Sequence, residues 1–458
     1  MSIIGRIPEH AIAAPNDVTT TPPEIPAPRS VALRIAPPLA STGLTMIGAG
    51  LLGALLPLRY SAAGLSAGTI GLLGSAEGLG FLVGCLHAHR IITPVGSERA
   101  YATFAGLKSV AIIGMFFAGG APWIAALRFL IGLNAAGLSV VVESWLNALS
   151  PNEQRGRILT VYVLVYGLCF GLGEILGRDL DPSGPQFLMI AGIVTTLALV
   201  PMAAIEVRAP ARPHRVDLQV AKALRTSPVS VLACLLNGLI LTAFTTAGPL
   251  FGERLGLDQP RIVLLMASFS MGSLLMQWPI GYLSDRIDRL YALIGLGAAI
   301  LGLAGVLIGA SGHTPFAVLA VLLAVFGGLG ESLYAVGVAH ANDRAPASEY
   351  IALSSTLLFV WALGAAIGPT TGTVAIARGR PGAFFGYVLG LTALFTAFAL
   401  WRLARRRAEP VAVGREEFLT YPQTSPEIYS WIPYHRDEPD AGATPPGGTG
   451  STPADAPP

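Results

Sequence analysis

Six charged side chains lie inside long apolar stretches of the sequence, and they are the first candidates for chemistry. These residues are Glu77, Lys108, Arg128, Glu143, Glu174 and Glu331. A charge in apolar surroundings is costly unless it is paired or hydrated, so such residues usually mark substrate or ion pathways. The chain contains no G-x-x-x-x-G-K-[ST] phosphate loop and no H-E-x-x-H zinc motif. We therefore expect no ATP hydrolysis, no metal or cofactor site and no enzyme activity.

Glu77 and Lys108 form the simplest candidate pair. Each lies about halfway along its apolar stretch, and consecutive stretches that cross a membrane run antiparallel, so the two charges fall at a similar depth. A lone lysine that faced lipid would be too costly. The sequence therefore predicts a structural ion pair between Glu77 and Lys108 that has no part in substrate binding.

Arg128 and Glu174 lie near the same end of two consecutive apolar stretches, which predicts a second ion pair. This pair could be a structural clasp. It could also be a proton-linked switch, in which protonation of Glu174 frees Arg128 to hold an anionic substrate. The sequence supports both interpretations equally.

Glu143 and Glu331 occupy related positions in the two halves of the chain, because each is followed by serine near the end of its apolar stretch. If these carboxylates face a cavity, they would bind a cation or a proton. If they lie at helix ends, they would instead cap a helix or pair with Arg155 or Arg344 as a gate. Both interpretations fit the spacing, and the first makes the two residues candidates for substrate binding or coupling.

Asn134 and Asn237 add neutral hydrogen-bonding groups inside two of the apolar stretches. They could line a binding site for a polar solute. They could equally join neighbouring helices, because amide side chains form hydrogen bonds between helices in membranes. We expect one or the other role for each asparagine.

The elements that position these residues follow from composition. Of the 458 residues, 53% are hydrophobic and only 12% are charged, which is too few charges for a water-soluble surface. Apolar runs of about twenty residues, the length that crosses a ~30 Å hydrocarbon core, recur along the chain. They predict transmembrane helices near 36–57, 67–87, 99–118, 122–146, 157–177, 185–205, 229–252, 261–282, 290–310, 315–339, 351–377 and 383–403.

The positions of the basic residues predict the orientation of these helices. Most of the 29 Lys and Arg residues lie in the terminal segments and in alternate loops. Because cytoplasmic loops carry the excess of Lys and Arg, both termini are expected in the cytoplasm and the helices in the inner (plasma) membrane. The net charge of +2 is close to neutral and predicts no nucleic-acid partner.

The segment between the eighth and ninth predicted helices carries the most specific motif. It reads Gly281-Tyr-Leu-Ser-Asp285-Arg286-Ile-Asp-Arg289, which resembles the G-x-L-x-D-R-x-x-R signature of the major facilitator superfamily. The stretches 143–157 and 332–344 are most similar to the YcaD-like branch of that family. The resemblance implies that Gly281, Asp285, Arg286 and Arg289 belong to a charge relay that steadies the outward-facing state.

The resemblance also implies a fold and a function. The fold would be an all-α membrane protein whose twelve transmembrane helices form two pseudo-symmetric six-helix bundles. The function would be transport of a small solute by alternating access, and we expect proton coupling and a monomer in the lipid bilayer. The alternative is a membrane receptor or scaffold that keeps this fold without transport. The predicted segments are a disordered cytoplasmic segment 1–35, a bundle 36–205, a cytoplasmic linker 206–228, a bundle 229–403 and a disordered cytoplasmic tail 404–458.

Overall fold

Twelve long helices make up the computed structural model, which describes residues 28–204, 218–310, 314–377, 381–405 and 422–431. The helices are α1 (Pro28–Ala62), α2 (Ala67–Val95), α3 (Ser97–Gly114), α4 (Ala121–Leu149), α5 (Arg155–Leu176), α6 (Gln186–Ala203), α7 (Pro228–Arg254), α8 (Gln259–Arg286), α9 (Arg289–Ala310), α10 (Phe316–Asn342), α11 (Tyr350–Ala377) and α12 (Ala383–Arg405). Within the described ranges, 11 of these helices are long and apolar enough to cross a membrane. The predicted all-α fold is confirmed.

The remaining helix, α3, is less apolar because of its charges. Its 18 residues include Glu98, Arg99 and Lys108. The helix nevertheless packs along α4 and α6, and it buries the aromatic rings of Tyr101 and Phe104 against them. Its tertiary contacts therefore make α3 part of the helical assembly, together with the 11 more apolar helices.

The two halves of the chain use the same construction at their tightest helix pairs. In the first half, a Cβ atom on Gly132 of α4 would collide with the Glu77 carbonyl oxygen of α2. In the second half, a Cβ atom on Gly272 of α8 would collide with the Ala324 carbonyl oxygen of α10. Glycine permits this approach because it has no side chain. The pair α2 and α4 thus corresponds to α8 and α10, six helices later, as two pseudo-symmetric bundles require.

The bundles meet along α2 with α11 and along α5 with α8. We call the membrane side on which α1 begins the terminal side and the opposite side the far side. Near the far side, a Cβ atom on Gly71 would collide with the Thr373 side chain, and one on Gly78 would lie 2.5 Å from the Ala365 carbonyl oxygen. The bundles are therefore in close contact from the middle of the membrane to the far side.

The N-terminal boundary differs from the prediction. The segment 1–35 was predicted to be disordered, but α1 begins at Pro28 and Val31 is buried. Val31 and Ile35 belong to the hydrophobic core, and a search for twenty-residue apolar runs does not detect such isolated buried positions. Residues 1–27 lie outside the described part of the chain.

The predicted linker 206–228 contains a short helix, Val220–Thr226. It is held to the second bundle by a 2.6 Å ion pair between Lys222 and Glu349. The part of the linker from 205 to 217 lies outside the described residues. The described part of the linker is thus anchored next to the loop between α10 and α11.

Candidate functional site

A short segment near the C-terminus fills the terminal side of the interface between the bundles. Residues 422–431, which we call the tail segment, include the 3-10 helix Pro426–Trp431, and this helix packs against α4 of the first bundle and α11 of the second. Ile428 and Tyr429 are fully buried there. The prediction of disorder over 404–458 is therefore corrected for the tail segment.

The physical reason for this correction is that the order of the tail segment comes from distant partners. Its own composition is polar and rich in proline, which predicts disorder when the segment is considered alone. The walls of the interface supply the apolar contacts and hydrogen bonds that the local sequence lacks. The rest of the predicted tail, beyond Arg405, lies outside the described residues.

Glu143 of α4 is the centre of the polar contacts of the tail segment. Its side chain is completely buried. The carboxylate accepts a 2.9 Å hydrogen bond from the Tyr162 hydroxyl of α5 and short hydrogen bonds from the hydroxyls of Thr424 and Ser425. Three hydroxyl donors therefore converge on one buried carboxylate, and two of them belong to the tail segment.

Glu331 of α10 receives the tail segment from the other bundle. Its carboxylate is hydrogen-bonded by the Gln423 side chain, and one turn further along α10 the Tyr334 hydroxyl contacts the Tyr429 hydroxyl. Tyr166 of α5 lies within electrostatic range of both Glu143 and Glu331. The two repeat-related carboxylates thus face the same space between the bundles, and the tail segment bridges them.

A small cavity lies within the first bundle. It has a volume of about 50 Å³, room for water molecules. Lys108 of α3 lines this cavity together with hydroxyl-bearing side chains of α1, α3, α4 and α5. The lining hydroxyl residues are Thr42, Thr45, Tyr101, Ser139, Tyr162 and Tyr166. The lysine is 3% exposed, so this polar surrounding is what accommodates it.

The predicted ion pair between Glu77 and Lys108 is wrong. The Glu77 carboxylate instead lies 2.7 Å from the Arg128 guanidinium of α4. The reason is the close approach of α2 and α4 at Gly132, because Arg128 is one helical turn before Gly132 on the same face. Glu77 therefore meets α4 before it can reach the lysine on α3.

The predicted pair of Arg128 with Glu174 is wrong for the same reason. Glu174 of α5 is 2% exposed, and it is hydrogen-bonded by Ser270 of α8, in the other bundle. Its second carboxylate oxygen, Oε2, has no hydrogen-bond partner among the described residues. Glu174 thus lies at the contact between the bundles, and Arg128 lies within the first bundle.

The two candidate asparagines differ in their surroundings. Asn237 of α7 donates to the Gly330 carbonyl of α10 at 2.6 Å and accepts from the Trp361 indole of α11 at 2.7 Å. It therefore joins three helices. Asn134 of α4 donates within its own helix, to the Leu130 carbonyl at 2.6 Å, and its buried Oδ1 atom has no hydrogen-bond partner in the described structure.

The motif between α8 and α9 forms a charge cluster on the terminal side. The Arg289 guanidinium lies 3.1 Å from the Asp285 carboxylate and 2.6 Å from the Asp343 carboxylate at the end of α10. Arg286 instead stacks on the Tyr282 ring, with 4.1 Å between its guanidinium carbon and the ring centroid. Gly281 is buried at the start of this turn. The cluster therefore ties α8 and α9 to α10.

The tail segment contains the residues that the sequence analysis missed. Thr424, Ser425 and Tyr429 contact the interior of the protein, yet they lie in a region of low hydropathy. The one available signal was the run 428–432, which is apolar and aromatic between polar flanks that are rich in proline. Such a run in a polar tail is typical of a segment that binds a surface.

Comparison with protein families gives a match over most of the chain. The sequence profile of the Major Facilitator Superfamily matches residues 39–327 and 259–434. The YcaD protein of Salmonella typhimurium, an MFS-type transporter by name, is 26% identical over 377 residues, which cover 81% of this chain and 95% of that protein. The YcaD protein of Salmonella typhi is 28% identical over 335 residues, which cover 71% and 85%.

Solved structures of transporters share the fold. A bacterial homologue of the human lysosomal transporter Spinster, in an inward-facing and unoccupied conformation, gives a TM-score of 0.65 at 13% identity and covers 84% of this chain and 100% of its own. The nucleoside transporter NupG gives a TM-score of 0.68 at 12% identity, with coverage of 80% and 99%. The D-xylose-proton symporter gives 0.64 at 13% identity, with coverage of 81% and 97%. At these identities the likeness concerns the fold alone.

Proposed function

The chain belongs to the major facilitator superfamily, and from this premise we propose that it is a secondary active transporter that moves a small solute across the plasma membrane. The observation that carries the proposal is the pair of repeat-related carboxylates, Glu143 and Glu331, which face one space between two bundles. Transporters built from repeats bind their substrates at such an interface near the middle of the membrane. No phosphate-binding loop is present in the sequence, so an ion gradient is the natural energy source.

Alternating access is the transport mechanism that this geometry supports. The bundles touch along glycine-rich surfaces near the far side, while the tail segment keeps α4 and α11 apart on the terminal side. This arrangement corresponds to the inward-facing state if the terminal side is cytoplasmic, as the distribution of Lys and Arg favours. Rocking of one bundle against the other would then open the far side.

Proton coupling is supported by the carboxylates at the interface. Glu143, Glu174 and Glu331 lie between or beside the two bundles, where a change in protonation alters the charge that must be buried when the bundles close. Glu174 is the candidate at the contact with α8, and Glu331 is the candidate beside the solute space. We propose a monomer whose partners are its solute, protons and lipid, with no nucleic acid and both termini in the cytoplasm.

The test is a current measurement on proteoliposomes adsorbed to a solid-supported membrane. A panel of neutral, cationic and anionic solutes is applied with and without a pH gradient. We expect one solute class to evoke a proton-linked current that falls at least about ten-fold in Glu331→Gln, because a neutral amide cannot exchange a proton. Glu98→Gln, an exposed carboxylate at the start of α3, is the matched control and should keep the current.

A receptor or scaffold without transport is the second candidate function. The buried tail segment favours it, because a solute cannot pass on the terminal side while that segment is in place. The two functions differ in the current measurement after the tail has been released by protease cleavage at a site inserted before residue 422. A transporter then carries current with its solute, whereas a scaffold carries none with any solute.

A further inference from the structure

The contacts of the tail segment show which chemical groups the space between the bundles accepts. On Glu143, the tail segment presents two hydroxyl donors, from Thr424 and Ser425. On Glu331, it presents the side chain of Gln423. The oxygens of Glu143 accept the hydrogen bonds of both hydroxyls, so these contacts place donors of the tail segment on acceptors of the space between the bundles.

We propose that Glu143 and Glu331 form a two-point binding site for solutes that carry hydroxyl or protonated amino groups, and that the tail segment is a tethered competitor for this site. The proposal rests on the function proposed above and names the substrate class of the same cavity. A solute of this class would replace the tail donors one for one. A solute that offers only acceptors, such as a dicarboxylate, would meet two carboxylates without a donor between them.

The walls of the site favour donors over anions. The hydroxyl of Tyr162 already donates to Glu143, and the carboxylate still accepts two further hydrogen bonds, so its remaining capacity is for donors. The salt bridges of Arg128 and Arg289 lie elsewhere, on Glu77 and on Asp285 with Asp343. These two arginines are therefore committed to helix packing.

The position of the tail segment also makes it a brake on transport. It packs against α4 and α11, one helix from each bundle, and Ile428 and Tyr429 are buried between the bundles. The terminal side can close only after this segment has left. A solute that competes with the tail segment for Glu143 and Glu331 would therefore both bind and release the brake.

Hydrogen exchange of the full-length protein in nanodiscs, followed by mass spectrometry, tests the occupancy of the site. We expect the tail segment to exchange at least about ten-fold more slowly than a synthetic peptide of residues 420–433, because its amides are shielded by the two bundles. Thr424→Val together with Ser425→Ala removes two hydrogen bonds to the Glu143 carboxyl group and should accelerate the exchange about ten-fold. Equal exchange in the peptide and the protein, or no acceleration in the double variant, would overturn the proposal.

Ser144→Ala is the matched control for this experiment. Ser144 is a buried neighbour of Glu143 on α4, and its hydroxyl donates within the helix to the Val140 carbonyl at 2.8 Å. The exchange of the tail segment should stay at the wild-type rate in this variant. If Ser144→Ala accelerates the exchange as much as the double variant, the effect is general loosening and the specific contact with Glu143 is rejected.

A second arm uses the same readout to test the solute class. Xylose and uridine supply hydroxyl donors, ethanolamine supplies an ammonium group, and succinate supplies acceptors alone. We expect at least one donor-bearing probe, and not succinate, to accelerate exchange of the tail segment, with the effect lost in Glu143→Gln combined with Glu331→Gln. Displacement by succinate, or by none of the three donor probes, would overturn the assignment of the solute class. Hydrogen exchange does not require transport, so this test of the solute class gives a result even if the protein carries no flux. Failure of the solute class and failure of the transport function can therefore be distinguished.

Discussion

Charged side chains within the membrane-spanning helices are accommodated in different ways. Glu77 and Arg128 form an ion pair, because the glycine at position 132 brings α2 and α4 together and places their charges 2.7 Å apart. Lys108 has no such ion pair among the described residues and instead lines a small cavity that several hydroxyl groups also line. The two solutions predict different energetic couplings.

A double-mutant cycle distinguishes them. We expect Glu77→Ala and Arg128→Ala to show a coupling free energy of about 1 to 3 kcal/mol, because each residue loses the same ion pair. Glu77→Ala and Lys108→Ala should show a smaller coupling, since no ion pair joins them. The measurement is the free energy of unfolding in mixed micelles of increasing SDS content. A larger coupling with Lys108 than with Arg128 would contradict the geometry.

For individual charged side chains, the sequence identifies the candidate residues but not the partners that they contact. Glu143 and Glu331 could be recognised because carboxylates inside apolar runs are rare and the two share the same sequence context. The pairings of Glu77 and Glu174 could not be predicted, because they depend on the rotation of each helix and on the spacing between helices. That spacing depends on which glycines face which neighbour, information that a single sequence does not contain.

Among the helices, glycine contacts between bundles have a different function from those within a bundle. Gly132 and Gly272 hold helices of one bundle together, whereas Gly71 and Gly78 of α2 face α11 of the other bundle. Only the second kind must separate when the far side opens. A side chain placed there should disturb the equilibrium between states more than the folding of either bundle.

Gly78→Ala tests this distinction. The added methyl group would lie 2.5 Å from the Ala365 carbonyl oxygen, so we expect the closed far side to be disfavoured and solute flux to fall at least about ten-fold, as expected for roughly 1 to 3 kcal/mol of overpacking. Flux and thermal stability are measured in proteoliposomes and in detergent. Gly302→Ala on α9, where a Cβ atom has no neighbour within 4 Å, is the control. Unchanged flux in Gly78→Ala would show that this contact does not move.

The charge cluster between α8, α9 and α10 leads to a second prediction about how helices are held together during transport. Asp285→Asn removes one of the two carboxylates that hold Arg289, and we expect flux to fall about ten-fold through the loss of a charge-assisted hydrogen bond. Insertion into the membrane should be unchanged, as measured by the yield of folded protein. Asp258→Asn, an exposed carboxylate on the far side, is the control. Normal flux in Asp285→Asn would remove the proposed relay.

The sequence predicts most elements because hydropathy is a local property. Except for α1, and for the end of α2 at Val95, it places the apolar helices within a few residues, and it predicts the six-helix repeat from the matched contexts of Glu143 and Glu331. It misses the start of α1 and the tail segment, since both are ordered by contacts with distant parts of the chain. Local composition cannot reveal a segment whose stability comes from the cavity that receives it.

At the scale of the whole molecule, the far side is closed and the terminal side is occupied by part of the chain itself. Ser61 of α1 donates a 2.7 Å hydrogen bond to Glu253 of α7, which links the far ends of the two bundles. The tail segment separates α4 from α11 at the other end. A transporter in this state must release the tail segment and bind its solute. It must then close the terminal side and open the far side.

The most direct test of this account measures distances between the bundles in sealed proteoliposomes. Spin labels at Ala63 and Arg261 report the far side, and labels at Glu98 and Ser348 report the terminal side; all four residues are exposed. Cleavage that releases the tail segment should add a population with a longer far-side distance and a shorter terminal-side distance, and the two populations should change in opposite directions when the pH gradient is reversed. A single fixed distance at both ends, with and without the tail, would contradict alternating access.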